Sequence, residues 1–72
     1  MKTYITFKRN QIHNVNGKVF DKDSIAVIDA ETAYEGRTRA FELFSDDYLD
    51  EFTDKTLPKD IDEYYKRGFI LV

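Results

Sequence analysis

The alternation of apolar and polar side chains predicts β-strands in the first third of the chain. Residues 3–8 place Ile5 and Phe7 on one side of the backbone, which is the period of a half-buried strand. Asn16 and Gly17 then form a dipeptide typical of a type I′ hairpin turn, with apolar positions on both flanks. Such a turn predicts two cross-strand pairs, His13 with Phe20 and Val15 with Lys18.

The region from residue 24 to residue 44 allows two interpretations. Residues 24–30 contain a short β-branched run, which predicts a central strand. After it, Asp29 as N-cap and Gly36 as the residue past the C-cap would frame one or two helical turns. The alternative is a long hairpin that turns at Glu35 and Gly36 and returns as a strand over residues 37–44. We favour the hairpin, because a helix of about seven residues is marginal on its own.

From Ser45 onward the period changes to that of helices. Ser45 is the expected N-cap of a first helix, with acids in its first turn and apolar side chains at helical spacing. Pro58 ends this run, and a second short helix is expected from residue 58 or 59 to residue 67. The apolar residues 69–72 then predict one last strand, buried between or beside other strands.

The order of strands, then helices, then a strand makes α+β the expected fold class. We expect a small antiparallel β-sheet of three to five strands, built from the N-terminal hairpins and the C-terminal strand. One or two short helices would pack on one face of this sheet. The length of 72 residues permits a single compact domain, residues 1–72, whose core draws on five Tyr and six Phe side chains.

The composition excludes several classes of protein. Cysteine is absent, so neither a disulfide nor a thiolate zinc site can stabilise the fold. The first residues lack the apolar run of a signal peptide, and residues 68–72 are far shorter than the roughly 20 residues of a membrane span. With 35% charged and 42% hydrophobic residues, we expect a folded cytoplasmic protein that makes no membrane contact.

No motif for catalysis, metal binding or cofactor binding stands out. His13 is the only histidine, no nucleophile motif accompanies it, and an exposed strand position is its expected environment. The acids that begin at Asp21 fail the calcium-loop pattern, which needs a glycine where Ala26 stands. The three glycines are too scattered for a phosphate-binding loop. We therefore expect no enzyme activity, no catalytic residue, no cofactor and no metal.

The charge distribution is the strongest indication of function. Within a net charge of −3, residues 1–23 hold five bases and two acids, whereas residues 45–63 hold eight acids and two bases. On a helix, the acids of residues 46–54 would recur every four residues and form an acidic face. That face would suit a larger protein with a basic surface, which the chain would bind and modulate or inhibit. The predicted partner-binding residues are Asp46, Asp47, Tyr48, Asp50, Glu51 and Asp54.

The sharpest version of this hypothesis is a DNA mimic. An acidic helix face that imitates a phosphate backbone would occupy the nucleic-acid channel of a processing enzyme of phage or host defence. The ordinary alternative is an acidic face that is merely solvated.

Direct nucleic-acid binding is a second functional hypothesis. A basic and aromatic sheet face could stack bases and contact phosphates. Its candidate residues are Tyr4, Lys8, Arg9, Lys18, Arg37 and Arg39. The net charge of −3 opposes this hypothesis, since such binding is driven by phosphate contacts. Self-association through the C-terminal strand, which would give a homodimer, is a third possibility.

Overall fold

The computed structural model describes all of residues 1–72 and confirms the α+β class. One four-stranded sheet and one separate two-stranded hairpin are present, and neither helical segment is long and apolar enough to cross a membrane. The elements in chain order are β1 (Lys2–Thr6), β2 (His13–Val15), β3 (Lys18–Phe20), β4 (Ser24–Asp29), α1 (Ala33–Phe44), β5 (Asp50–Thr53), a 3-10 helix (Ile61–Tyr64) and β6 (Gly68–Leu71).

The four-stranded sheet has the order β5-β1-β4-β6, so β1 and β4 are central and β5 and β6 are edges. β1 runs antiparallel to both neighbours, with Tyr4 opposite Val27 of β4 and Phe52 of β5. β6 confirms the predicted C-terminal strand and runs parallel to β4, with Leu71 beside Val27. Parallel pairing needs a crossover connection, and the chain between β4 and β6, which contains α1 and β5, supplies it.

The β2–β3 hairpin confirms both the predicted turn and the predicted register. His13 pairs with Phe20 and Val15 pairs with Lys18. Asn16 has a φ of 53° and Gly17 a φ of 79°, so both central residues adopt the left-handed conformation of a type I′ turn. Local turn chemistry therefore predicts this element correctly.

The favoured hairpin over residues 29–44 is wrong, because α1 occupies this segment. Its N-cap is Thr32 rather than Asp29, and Thr32 Oγ1 accepts a hydrogen bond from the Glu35 amide at 3.1 Å. With this start the helix has 12 residues, long enough for tertiary contacts to stabilise it.

The buried face of α1 explains why a helix outcompetes the expected strand over residues 37–44. Gly36, Ala40 and Phe44 recur every four residues and are the buried positions of the helix. Phe41, which alternation would have placed in the core, is 60% exposed. The period of burial is thus helical, and the two-residue alternation in the sequence does not correspond to a strand.

The helix predicted to begin at Ser45 is also wrong. Ser45 ends α1, with its amide donating to the Phe41 carbonyl at 2.7 Å. A few residues later, Asp50–Thr53 pairs with β1 and becomes β5. Pairing with a strand that lies far away in sequence here outweighs the helical pattern, as tertiary context often does. The acids therefore lie on a loop and an edge strand, and the expected acidic helix face does not form.

The second predicted helix shortens to one 3-10 turn. Ile61 is its buried residue, whereas Tyr64 is 73% exposed. Gly68, with a φ of 69°, ends the segment and begins β6.

The main core lies between one face of the sheet and a layer made of α1 and the β2–β3 hairpin. Phe44 is at its centre, with ring centroids 5.0 Å from Phe7 and 5.6 Å from Phe20. Burial of these rings and of neighbouring aliphatic side chains supplies most of the hydrophobic stabilisation. The core residues are Ile5, Phe7, Phe20, Ala26, Ile28, Ala40 and Phe44.

Ser45→Gly is expected to stabilise the protein. Ser45 has a φ of 56° and a ψ of −135°, a conformation that only glycine adopts without strain. Removing that strain should outweigh the greater flexibility of glycine in the unfolded chain, for a net gain of about 1 kcal/mol. Thermal unfolding should show a midpoint several degrees higher. Asp46→Gly is the matched control, since Asp46 has no positive φ and should lose stability. If the two substitutions changed the unfolding midpoint equally, the backbone at Ser45 would not be strained.

Candidate binding surface

The sheet has two faces, and α1 covers only one of them. α1 contacts β1 and β4, and its Gly36 lies against Thr3. Because side chains alternate along a strand, those of Lys2, Tyr4 and Thr6 lie on the opposite side, which we call the open face. Strand register adds the following residues to the open face: Ile25, Val27 and Asp29 of β4, Asp50 and Phe52 of β5, and Phe69 and Leu71 of β6.

One end of the open face is covered by the chain itself. Thr6 and Ile25 are fully buried, although neither faces α1. The segment of residues 54–67 lies outside the other layers, its 3-10 helix contacts β6, and its Ile61 is buried without belonging to the main core. Residues 54–67 connect β5 and β6 at opposite edges of the sheet, and α1 occupies the other face, so this segment crosses the open face and covers Thr6 and Ile25.

The other end of the open face is apolar and exposed. Tyr4 and Phe69 meet edge to face, with ring centroids 5.7 Å apart. Together with Lys2 and Val27 they line a shallow depression of about 230 Å³. Phe69 is 46% exposed and its neighbour on the same face, Leu71, is 56% exposed. Adjacent apolar side chains with a charged rim are typical of an interaction surface.

Asp54 fixes the rim of this depression. Its carboxylate accepts hydrogen bonds from the Lys2 amide at 3.0 Å and from the Tyr4 hydroxyl at 2.9 Å. Both bonds lower the pKa of Asp54, and the bond from the Lys2 amide has the larger effect. The pKa of Tyr4 is raised mainly by burial and also by the bond to Asp54. At neutral pH the acceptor is therefore ionised and the donor protonated, which holds the Tyr4 ring in place beside Phe69.

The charge around the open face is acidic. Asp29, Asp50 and Asp54 contribute carboxylates, and Lys2 contributes one ammonium group. The carboxylates of Asp29 and Asp50 are in none of the ion pairs of the fold, so both remain available to a ligand. An apolar centre with an acidic rim is chemically suited to an apolar ligand surface that also carries positive charge.

The predicted partner-binding residues do not form one face. Asp50 and Asp54 lie on the open face, but Tyr48 and Glu51 lie on the α1 side. Glu51 pairs with Arg37 at 3.1 Å and accepts a hydrogen bond from the Tyr48 hydroxyl at 3.2 Å. Burial, followed by the charge of Glu51, raises the pKa of Tyr48. These two residues thus stabilise the packing of β5 beside α1.

Asp46 and Asp47 lie in the loop between α1 and β5. Asp47 Oδ1 accepts a hydrogen bond from the Gln11 side-chain amide at 2.6 Å, and its backbone carbonyl accepts one from His13 Nε2 at 2.8 Å. Asp47 therefore ties this loop to the connection between β1 and β2. Asp46 forms none of the hydrogen bonds or ion pairs of this loop.

His13 is not the exposed strand residue that the sequence suggested. Its side chain is only 17% exposed, and its ring lies 5.3 Å from that of Phe7 and 5.1 Å from that of Phe44. Since a backbone carbonyl only accepts, His13 Nε2 is the donor in the bond to Asp47. His13 therefore serves as packing between the hairpin and the end of α1.

The residues of the nucleic-acid hypothesis are scattered over the molecule. The expected strand over residues 37–44 is a helix, so its two arginines lie in the layer opposite the open face. Arg39 donates to the Asp29 carbonyl at 3.2 Å, and Lys18 donates to the Leu71 carbonyl at 2.6 Å. The six residues lie as follows: Tyr4 on the open face, Lys8 and Arg9 after β1, Lys18 on the hairpin, and Arg37 and Arg39 on α1.

Sequence reasoning missed the apolar centre of the open face. Residues 69–72 suggested a buried strand, yet β6 is an edge strand that alternates between exposed and half-buried positions. Phe69 and Leu71 are the exposed members of this alternation, and Ile70 packs against the main core. The two-residue period could have indicated which side chains share a face, but not that this face is uncovered.

The structure contains no group of three or more His, Asp or Glu side chains that could hold a metal ion. Comparison of the chain with protein-family models, with curated proteins and with solved structures found no match.

Proposed function

We propose that the protein is a non-enzymatic binding module that docks a larger protein with a basic surface onto its open face. The observation that carries the proposal is the pair Phe69 and Leu71, about half exposed and adjacent on the uncovered part of the open face. By covering a working surface of its partner, the module modulates or inhibits it. A nucleic-acid-processing enzyme suits this description, since surfaces that hold nucleic acid are basic.

The apolar centre supports docking of a protein rather than a small substrate. The depression between Tyr4 and Phe69 has a volume of about 230 Å³ and is open to solvent. Small-molecule sites are clefts of roughly 300–1,000 Å³ that enclose most of the ligand. A shallow aromatic depression instead suits one protruding side chain of a partner, with the surrounding residues excluding water.

The acidic rim supports a basic partner and opposes direct nucleic-acid binding. Asp29, Asp50 and Asp54 would repel a phosphate backbone and attract Lys or Arg side chains. Aromatic rings on a sheet can stack bases, and Tyr4, Phe52 and Phe69 share this face, but Lys2 is the only cation among its strand residues. The acidic character expected from the sequence is thus retained, although on a sheet face and not on a helix.

Capture experiments with paired variants test the proposal. The immobilised protein should retain a partner from a lysate of its own cells. Replacing Phe69 and Leu71 by Ser should reduce that capture at least about tenfold, because central apolar side chains dominate binding energy. Asp29→Lys with Asp50→Lys should also weaken capture and reduce its dependence on salt.

Matched controls lie in the layer on the other side of the sheet. Phe41→Ser removes an exposed aromatic residue from α1, and Glu31→Lys with Glu42→Lys reverses two exposed charges beside or within it. These variants should capture the partner as the parent protein does. Capture that survives both open-face variants, or that only the control variants abolish, contradicts the proposal. Binding of a single-stranded oligonucleotide that depends on Phe69 would replace it with the nucleic-acid hypothesis.

A further inference from the structure

The two edges of the sheet differ in how their outward backbone groups are satisfied. On β5, the residues that face away from β1 are Glu51 and Thr53. The Thr53 amide donates to Thr56 Oγ1 at 2.9 Å, and the Thr53 carbonyl accepts from the amides of Thr56 and Leu57 at 3.2 and 3.0 Å. The turn that follows β5 therefore blocks half of this edge. Blocking an edge in this way prevents pairing with other chains.

The β6 edge lacks such a block. The Val72 amide donates to the Val27 carbonyl at 3.0 Å, so residues 70 and 72 face β4, and Phe69 and Leu71 face outward. No strand pairs with β6 on this side. The only outward group with a partner is the Leu71 carbonyl, which accepts from Lys18 Nζ. A carbonyl oxygen has a second lone pair, so this contact leaves room for a backbone donor.

We propose that the β6 edge pairs with β6 of a second copy of the chain, antiparallel and about a two-fold axis at Ile70. The backbone amide and carbonyl of Phe69 would then each form a hydrogen bond with Leu71 of the other copy. The two-fold axis repeats this pair of bonds, for about four bonds in all. Two four-stranded sheets would join into one of eight strands. The inference does not depend on a larger partner, although the dimer would cover the same Phe69 and Leu71 side chains that the proposed function assigns to docking.

The side chains favour a second copy as the occupant. In this register each Phe69 lies directly beside the other copy's Leu71 on the joined open face, so the half-exposed side chains of each copy cover those of the other. Such self-complementarity is what an isologous interface requires. β6 carries no charge of its own between Gly68 and Leu71, so no like charges meet across the strands.

The flanking charges select the antiparallel orientation. Lys66 and Arg67 precede β6; Arg67 is paired with Asp21 at 3.3 Å, whereas Lys66 is in none of the ion pairs of the fold. Asp29 lies in register just beyond the far end of β6, because Val27 is beside Leu71. Antiparallel pairing brings Lys66 of each copy toward Asp29 of the other copy. Parallel pairing would bring like charges together. The strand has only four residues, so the expected dimer is weak and forms at high protein concentration.

Sedimentation velocity of the purified protein tests this proposal without any partner. The mass should rise from the monomer value of 8.5 kDa toward twice that value as concentration rises from about 10 µM to about 1 mM. Over the same range, hydrogen exchange at the Phe69 and Leu71 amides should slow about tenfold. The Glu51 amide, which faces outward on β5, is the internal control and should not change.

Two variants test the assignment of the edge. Leu71→Pro removes an outward amide together with the Leu71 side chain and is compatible with an edge strand, so it should keep the protein monomeric while circular dichroism shows it folded. Phe69→Lys with Leu71→Lys should do the same through charge repulsion, whereas Phe41→Lys should still dimerise. A protein that stays monomeric at the highest concentration, or dimerises equally well with both edge variants, overturns the proposal. Self-association is measured on the purified protein alone, whereas the proposed function is measured by capture of a larger partner, so failure of one proposal is distinguishable from failure of the other.

Discussion

Gly36→Ala is expected to lower the free energy of unfolding by about 2–3 kcal/mol, although alanine is the better helix former. Helix propensity alone would give a gain of about 1 kcal/mol. The gain is reversed because a Cβ at residue 36 would overlap Thr3 Oγ1 and lie only 2.9 Å from Thr3 Cβ. Thr3 is β-branched and 1% exposed, so it has no free rotamer to retreat into. Urea unfolding followed by circular dichroism measures the loss.

A double-mutant cycle separates this contact from other effects of the substitution. Thr3→Ala removes the hydroxyl oxygen that the new Cβ would meet, and that oxygen has no hydrogen-bond partner in the fold. In the Thr3→Ala background, Gly36→Ala should cost at least about 1 kcal/mol less than in the parent protein. Equal costs in both backgrounds, or a stabilised Gly36→Ala variant, would show that α1 does not approach β1 this closely.

The same glycine shows why the sequence suggested a hairpin where a helix forms. Glycine after Glu35 is a turn signal when judged locally, and Asp29 resembles a helix cap. In the fold, Gly36 is helical, and the absence of a side chain serves the close contact with Thr3. Nothing within residues 29–44 reveals this contact, because Thr3 lies 33 positions earlier in the chain. The helix is therefore specified by a tertiary requirement that local patterns do not contain.

The parts of the fold that the sequence predicts correctly are those with local causes. Asn16 and Gly17 determine the β2–β3 turn and register by their own backbone preferences. The β-branched run of β4 and the apolar run of β6 are also local. The wrong prediction of a helix that begins at Ser45 has a non-local cause. Residues 50–53 become a strand only because β1 offers them a pairing partner.

The candidate site also has features that the sequence reveals and features that only the fold creates. The sequence reveals an acidic segment, and Asp50 and Asp54 do lie on the open face. It does not reveal that Glu51 and Asp47 are engaged in internal contacts, since Arg37 and Gln11 approach them only after folding. The uncovered state of Phe69 and Leu71 depends on where residues 54–67 lie across the sheet. A surface of this kind is a property of the arrangement of layers rather than of any one segment.

Phe44→Ala is expected to destabilise the protein by about 3–5 kcal/mol, the usual cost of removing a buried aromatic ring. Phe44 is 2% exposed and meets Phe7, His13 and Phe20 with ring centroids 5.0 to 5.6 Å away. It thus joins α1 to the hairpin and to Phe7, which directly follows β1. A domain of this length has a total stability of about 4–11 kcal/mol, so much of it would be lost.

Phe41→Ala is the matched control, because it removes the same ring from the same helix at a position that is 60% exposed. It should change stability by no more than about 0.5 kcal/mol. Urea unfolding of both variants measures the difference, and near-ultraviolet circular dichroism of Phe44→Ala should show loss of fixed aromatic packing even where helical signal remains. If the two variants unfold within about 1 kcal/mol of each other, Phe44 is not the centre of the core. The α1 layer would then be held mainly by the contact between Gly36 and Thr3.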